Sequence, residues 1–184
     1  MKLLSRKEID FAPGENTFGL RVFKEVYGLP DGKTRTYWKY QKPDVVMIAA
    51  FTTDGKIIAE EEFQPGVGVS YLKLAGGNVD EGEEDDNAAI RELREETGYQ
   101  AGSIELISTI AHDSGRSDAK VLCYLATDCK KVGEPEKGIT ITLLDPKEFW
   151  NRFMIYLLND RGKTHGGSNS LKCIAPAMHK LGHL

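Results

Sequence analysis

The chain has little cysteine, no long apolar run and no surplus of either charge. Its three cysteines, Cys123, Cys129 and Cys173, contain no C-x-x-C pair, so neither a disulfide framework nor a cysteine zinc site is legible, and a reducing compartment is expected. The longest purely apolar stretch, Val45 to Phe51, has seven residues, against about 20 for a bilayer-spanning helix. The first eight residues lack the apolar segment of a signal peptide, and the expected address is the cytoplasm. Lys and Arg number 24 against 28 Asp and Glu, a net charge of -4. That balance argues against an anionic membrane or a long nucleic acid as partner, but not against a small anionic substrate. No G-x-S-x-G or G-x-G-x-x-G occurs, which disfavours a serine-hydrolase elbow and a dinucleotide fold. Gly32-Lys33-Thr34 and Gly162-Lys163-Thr164 resemble the end of a phosphate loop, but Tyr27 and Leu157 stand where its first glycine belongs, so both read as turns. The four histidines lack ligand spacing. His165, His179 and His183 read as surface residues, and His112, beside Asp113, is a candidate to touch substrate.

What remains is an ordinary globular composition, 40% hydrophobic and 28% charged over 184 residues. Residues 1–18 carry a loop signal at Pro13-Gly14-Glu15-Asn16 and no assignable element. Leu20 to Tyr27 and Thr34 to Gln41 flank Asp31-Gly32, and Asp44 to Thr52 and Lys56 to Phe63 flank Asp54-Gly55; both pairs predict β-hairpins. Further strands are expected at Tyr71 to Ala75, Ile104 to Ala111, Lys120 to Ala126 and Ile139 to Leu143. Helices are expected from Glu84 to Thr97, closed by Gly98, from Pro146 to Leu158, and within Ser168 to Leu181. The order of elements points to an α+β domain with a mixed sheet and helices outside.

The stretch from Gly77 to Tyr99, GNVDEGEEDDNAAIRELREETGY, carries the chemistry. At 100° per residue, Glu92, Glu95 and Glu96 share one helical face, with Ile90, Leu93 and Thr97 on an adjacent packing face and Arg91 and Arg94 projecting mainly to the other side. Aligned carboxylates repel by a few tenths of a kcal/mol per pair. A divalent cation relieves that repulsion, and hard oxygen ligands favour Mg²⁺, with Mn²⁺ as a substitute. An acidic helix face on its own is ordinarily a solvated surface. Here Gly77, Glu83, Arg91, Glu92, Leu93, Glu95, Glu96, Gly98 and Tyr99 fill G-x5-E-x7-R-E-U-x-E-E-x-G-U, U being bulky and apolar. Such a match arises by chance in about one chain in ten million.

This pattern resembles the box of the Nudix hydrolases. The resemblance implies an α/β/α sandwich with a mixed central sheet, and Mg²⁺-dependent cleavage of a nucleoside diphosphate linked to another moiety, giving two monophosphates. By position it casts Glu92 and Glu96 as principal metal ligands, Glu95 as ligand or general base, Glu83 as a secondary ligand, and Arg91 as the residue that orients them. Gly76 and Gly77 would let backbone approach the ion, Gly76 itself counting among the metal-site residues. Residues 29–38, from Leu29-Pro30-Asp31-Gly32 to Tyr37-Trp38, resemble the N-terminal hairpin of the ADP-ribose pyrophosphatase branch. That likeness implies a small β-rich region over residues 1–42 that builds a homodimer, ahead of a hydrolase domain over 43–184, with Tyr37 or Trp38 stacking on the base. It also implies a loop glutamate as general base, Glu136 with Glu134 as rival, and makes Arg116 a phosphate-binding candidate. Three positions depart from that branch: Lys73 replaces an acidic residue, Glu62-Phe63-Gln64 replaces an arginine-bearing segment, and Ser114 replaces a proline. ADP-ribose or a similar nucleotide sugar is the expected substrate. The alternatives are a hydrolase of oxidised nucleotides and a nucleotide-sensing module without turnover.

Overall fold

The computed structural model describes residues 1–9, 20–65, 68–158 and 168–183. The loop signal at Pro13–Asn16, His165 and the Gly162-Lys163-Thr164 turn lie outside the described residues. The chain divides into two compact units, Met1–Asp44 with Ala111–Lys120, and Val45–Ile110 with Val121–Leu184.

The first unit is an antiparallel sheet of β1 (Lys2–Ile9), β2 (Arg21–Gly28) and β3 (Thr34–Gln41), in that order. The β2–β3 hairpin pairs Arg21 with Gln41 through Gly28 with Thr34. Its turn is closed by the Asp31 carboxylate, which accepts from Lys33 N–H, and by Gly32 at φ 80°. Strand β1 was not expected. Its sequence KLLSRKEI buries almost nothing, so no alternation marks it, and it is extended because it pairs along β2. Within this unit the 111–120 segment docks on β3: Tyr40 N–H donates to the Arg116 carbonyl at 2.9 Å and Gln41 Nε2 to Asp118 at 3.1 Å.

In the second unit, β4 (Val45–Thr52) lies at the centre of a seven-stranded sheet. The order is β10 (Thr140–Leu144), β5 (Ile57–Gln64), β4, β9 (Lys120–Lys131), β7 (Tyr99–Gln100), with β6 (Val69–Lys73) paired to β5 and β8 (Ser103–Ala111) to β9. The β4–β9 ladder is parallel and those of β4–β5, β5–β6, β5–β10 and β7–β9 are antiparallel, so the sheet is mixed. All eight residues of β4 are buried, as a strand covered on both faces requires. Met47, Ala49 and Phe51 point to one face, where Phe149 and Phe153 of α2 (Pro146–Leu158) and Cys173, Ile174 and Met178 of α3 (Ser168–Lys180) cover them. Val46, Ile48 and Ala50 point to the other, under Ala88, Ala89 and Leu93 of α1 (Asp85–Thr97). The unit is the expected α/β/α sandwich. Among the described residues no helix is long and apolar enough to cross a membrane.

The second expected hairpin is only partly a hairpin. Its turn forms, with Thr52 N–H donating to the Lys56 carbonyl at 2.9 Å, but β4 and β5 pair only at Phe51 and Ile57. Beyond that point β5 pairs instead with β6 and β10. The edge of β4 that it leaves is taken by residues 75–78: Val46 N–H donates to the Gly77 carbonyl and Ile48 N–H to that of Ala75, each at 2.9 Å. The short strand expected through Ala75 therefore ends at Lys73, and Ala75 makes an isolated bridge. Strand β9 runs five residues past its expected end, through a break in register between Ala126 and Cys129 where Asp128 takes a positive φ of 53°.

Candidate active site

The splayed β5 lays the Gly76-Gly77 segment along β4, and α1 packs on the same face. Helix α1 begins after Glu84 and ends on Gly98 at φ 74°, whose N–H donates to the Arg94 carbonyl. Its buried face is Ala88, Ala89, Leu93 and Thr97. Ile90, expected on that face, is 45% exposed. The small alanines pack in its place, and the buried face is turned toward the carboxylate stripe.

That turn makes the three stripe glutamates unequal. Glu92 and Glu96 side chains are each 13% exposed, whereas Glu95 is 58% exposed. Gly76 N–H donates to Glu96 Oε2 at 2.7 Å. A side chain on Gly77 would occupy the space of the Glu92 carboxylate, and one on Gly76 would strike the Val46 carbonyl. Both glycines are thus needed for close approach. Burial raises the carboxyls of Glu92 and Glu96 above their ordinary range, opposed by Arg91 at the first and by Lys73 at the second.

Arg91, placed mainly on the other side by helical geometry but cast by the resemblance as the residue that orients the glutamates, folds back along the stripe. Its guanidinium donates to Glu83 at 2.9 and 2.8 Å, to Glu92 at 2.7 Å, to Glu95 at 3.3 Å and to the Asn78 carbonyl at 3.2 Å. Hydrogen bonding to Arg91 holds the Glu83 carboxyl below its usual value, and the same bonds hold Arg91 protonated. Arg94 stays on the outer side, lining a cleft of about 630 Å³ with Ile90, Glu95 and Val132.

The opposite side of Glu96 meets Lys73, one of the three departures from the ADP-ribose pyrophosphatase branch. Lys73 Nζ lies 3.2 Å from Glu96 Oε1, 2.9 Å from Glu62 and 3.0 Å from Glu60. Glu60 has no exposed surface, and burial pushes its carboxyl up to about 8, with the Glu96 charge adding to the effect and Lys73 opposing it. Burial alone would lower the Lys73 ammonium, but the charges of Glu60 and Glu96 and the bond to Glu62 outweigh it. Glu60 was missed because it sits inside the run EEEF on a strand. Its signal was the period of two that puts Glu60 and Glu62 on one face.

The donor chemistry fits a hard divalent cation: Glu83, Glu92, Glu95, Glu96 and the Gly76 carbonyl offer only oxygen. Among the described residues no three acidic side chains already form an ion cage, because Arg91 and Lys73 stand between them. The β9–β10 loop is tied to the C-terminus of α1: Val132 and Gly133 N–H donate to the Gly98 carbonyl, and Glu136 N–H to that of Glu96 at 3.3 Å. Glu136 itself is exposed, and its rival Glu134 is engaged by Lys131 at 3.1 Å.

In the first unit, Tyr37, Trp38 and Arg116 line one open groove of about 850 Å³ with Val22 and Tyr40. Adjacent strand residues face opposite ways, and the Tyr37 ring packs edge-on against Tyr27 at 5.5 Å. Of the three aromatics that line the groove, Trp38 is the exposed one, at 56%. His112 lies 3.5 Å from the Tyr40 hydroxyl, which donates to Asp113 at 3.3 Å. His183, expected as a surface residue, is exposed and stacks on Phe51 at 6.3 Å.

Comparison with known proteins gives the family. The model of the NUDIX domain matches residues 41–159. An ADP-ribose pyrophosphatase of Bacillus subtilis is 31% identical over 152 residues, 81% of this chain and 77% of that protein. A methanol dehydrogenase activator of Bacillus methanolicus is 30% identical over 120 residues, 64% of this chain and 65% of that one. The crystal structure of an ADP compounds hydrolase shares the fold, with a TM-score of 0.77 over 100% of this chain and 96% of its own at 18% identity.

Proposed function

The chain belongs to the Nudix family and is a pyrophosphohydrolase, and we propose that it cleaves ADP-ribose or a similar nucleotide sugar into two monophosphates in a Mg²⁺-dependent reaction. The observation that carries this reading is the pair of largely buried carboxylates, Glu92 and Glu96, held under the Gly76-Gly77 backbone. Glu92 and Glu96, with Glu83, Glu95 and the Gly76 carbonyl, would hold Mg²⁺ or, in its place, Mn²⁺. When bound, the ion supplies positive charge that neutralises the pyrophosphate and polarises its phosphoryl oxygens.

The remaining roles belong to the chain. Arg91 bridges Glu83, Glu92 and Glu95 and offsets their mutual repulsion. Glu136, on a loop anchored to the end of α1, takes the proton of the attacking water. Trp38, with Tyr37 in the groove wall, stacks on the nucleobase, and Arg116 pairs with phosphate. Residues 1–42 form the contact between two copies in a homodimer, and the three free cysteines, all buried, accord with a cytoplasmic protein.

A panel of nucleoside diphosphate derivatives assayed with Mg²⁺, with products identified by mass, tests the substrate; hydrolysis in ¹⁸O water then shows which phosphorus takes the oxygen. Glu96→Gln is expected to lower turnover at least about a hundredfold with the fold intact. Unchanged turnover would remove Glu96 from the site. Tight binding of ADP-ribose without cleavage in Mg²⁺ or Mn²⁺ would replace the enzyme by a sensor.

A further inference from the structure

Lys73 has an unusual environment. Three carboxylate oxygens, from Glu62 at 2.9 Å, Glu60 at 3.0 Å and Glu96 at 3.2 Å, converge on its single ammonium. Sheet register assembles the group: Lys73 on β6 stands directly opposite Glu60 on β5, and Glu62 lies one pleat along the same face. Glu96 reaches in from α1.

Glu60 makes the cluster more than an acidic patch. Its side chain is wholly buried, and beyond Lys73 Nζ at 3.0 Å neither of its oxygens has a hydrogen-bond partner among the described residues. A buried carboxyl carries negative charge only where a nearby positive charge offsets the cost of burying it. Lys73 is therefore the one positive partner on which Glu60 depends among the described residues. Oxygens from separate elements disposed about one central positive atom form the donor pattern of a cation site, with Nζ at the place of the ion. The spacing fits that substitution, since oxygens around Mg²⁺ lie at about 2.1 Å and an ammonium needs the wider shell seen here.

We propose that Lys73 is a resident cation of the acidic site, its ammonium filling the position between Glu60, Glu62 and Glu96 that a divalent ion enters when residue 73 is neutral. Through Glu96 Oε1 it also positions that carboxylate, whose Oε2 is held by Gly76 N–H. The catalytic consequence of this positioning rests on the reading of Glu96 as a metal ligand; the occupancy of the position does not.

The test counts ions without substrate. Mn²⁺ is titrated by calorimetry, and free Mn²⁺ by electron paramagnetic resonance, into the wild type, Lys73→Gln, Lys73→Arg and the double variant Lys73→Gln with Glu60→Gln. Lys73→Gln is expected to bind one more Mn²⁺ per chain than the wild type. Lys73→Arg, which restores the charge, and the double variant, which removes the buried carboxylate, are expected to keep the wild-type count. In thermal melts, Lys73→Gln is expected to fall below the wild type without metal and to gain more from saturating Mn²⁺ than the wild type gains. A folded Lys73→Gln chain with the wild-type count overturns the proposal. So does a Lys73→Gln chain that stays unfolded in Mn²⁺, because the ion then fails to replace the ammonium. Full turnover in Glu96→Gln would instead overturn the catalytic reading, and the ion count would still decide this one.

Discussion

Gly76 and Gly77 are neighbours, yet the same added methyl group is expected to damage different properties at the two. A Cβ on Gly76 collides with the Val46 carbonyl oxygen and lies 3.2 Å from Val46 C and 3.0 Å from Met47 Cα. These are backbone atoms of the fully buried central strand, and they cannot retreat without disturbing the Val46 N–H to Gly77 carbonyl bond. A Cβ on Gly77 collides instead with the carboxylate of Glu92, its Oε2 at 2.6 Å. Comfortable contact is about 3.5 Å, so that carboxylate must move by about 1 Å, at a rotamer cost of about 0.5–1.5 kcal/mol. Gly76→Ala is therefore expected to destabilise by about 3 kcal/mol, the upper end of overpacking penalties, and Gly77→Ala by about 1 kcal/mol. At about 2–4 °C per kcal/mol for a chain of this size, the melting temperatures should fall by about 6–12 °C and 2–4 °C.

Activity should reverse the ranking of damage per unit stability. Moving Glu92 breaks its 2.7 Å bond to Arg91 and displaces a site carboxylate by about 1 Å, a misplacement that costs about a hundredfold, or 2.7 kcal/mol, in kcat. Calorimetric melts of both variants, paired with steady-state hydrolysis in Mg²⁺ below the melting transition, separate the two effects. A Gly77→Ala enzyme with wild-type kcat, or one that melts as low as Gly76→Ala, would refute the geometry on which this argument stands.

Three further outcomes follow from other parts of the molecule. Glu25 is buried and accepts from Tyr27 at 2.7 Å beside Lys39 at 2.9 Å, so Glu25→Gln should weaken the three-stranded sheet by about 3 kcal/mol. Hydrogen bonding to Lys39 and then to Tyr27 holds the Glu25 carboxyl below 4.5. Its stabilisation is thus present above that value and disappears as pH falls through the lower, folded value; amide exchange in β2 and β3 should accelerate there in the wild type and lose that step in Glu25→Gln. Trp38→Ala should raise KM about tenfold with kcat nearly unchanged, because stacking on a base contributes about 1–3 kcal/mol; an unchanged KM would remove the groove from substrate binding. Phe149, wholly buried and stacked on Phe153 at 5.7 Å, should cost about 3–5 kcal/mol as Phe149→Ala, read as a drop in denaturation midpoint.

The elements legible in the sequence are those specified locally. Asp31-Gly32 and Asp54-Gly55 announce their turns because positive φ suits few residues, and Gly98 announces the end of α1 for the same reason. Non-local pairing is not written that way. Strand β1 has no buried face to mark it, and nothing in Asp44 to Phe63 indicates that β5 leaves β4 after one pair and that a glycine loop takes the vacated edge. Yet that exchange of partners places Gly76 and Gly77 beside Glu96 and Glu92, so the geometry of the site depends on the least legible step of the fold.

Charge shows the same division. Residues 80–96 carry nine acids and two bases, a net of -7, and the rest of the chain sums to +3. Acid density alone ranks Glu81, Glu84 and Asp85 with Glu92 and Glu96. The fold separates them: the first three are exposed, whereas Glu92 and Glu96 are drawn inward with Glu60. Water solvates an exposed carboxylate, but a buried one needs a positive partner. Arg91 serves Glu92 and Lys73 serves Glu60 and Glu96, and the charge these two leave uncompensated is what a divalent ion would meet. Burial, more than acid count, therefore sets Glu92 and Glu96 apart from the other acids of the box.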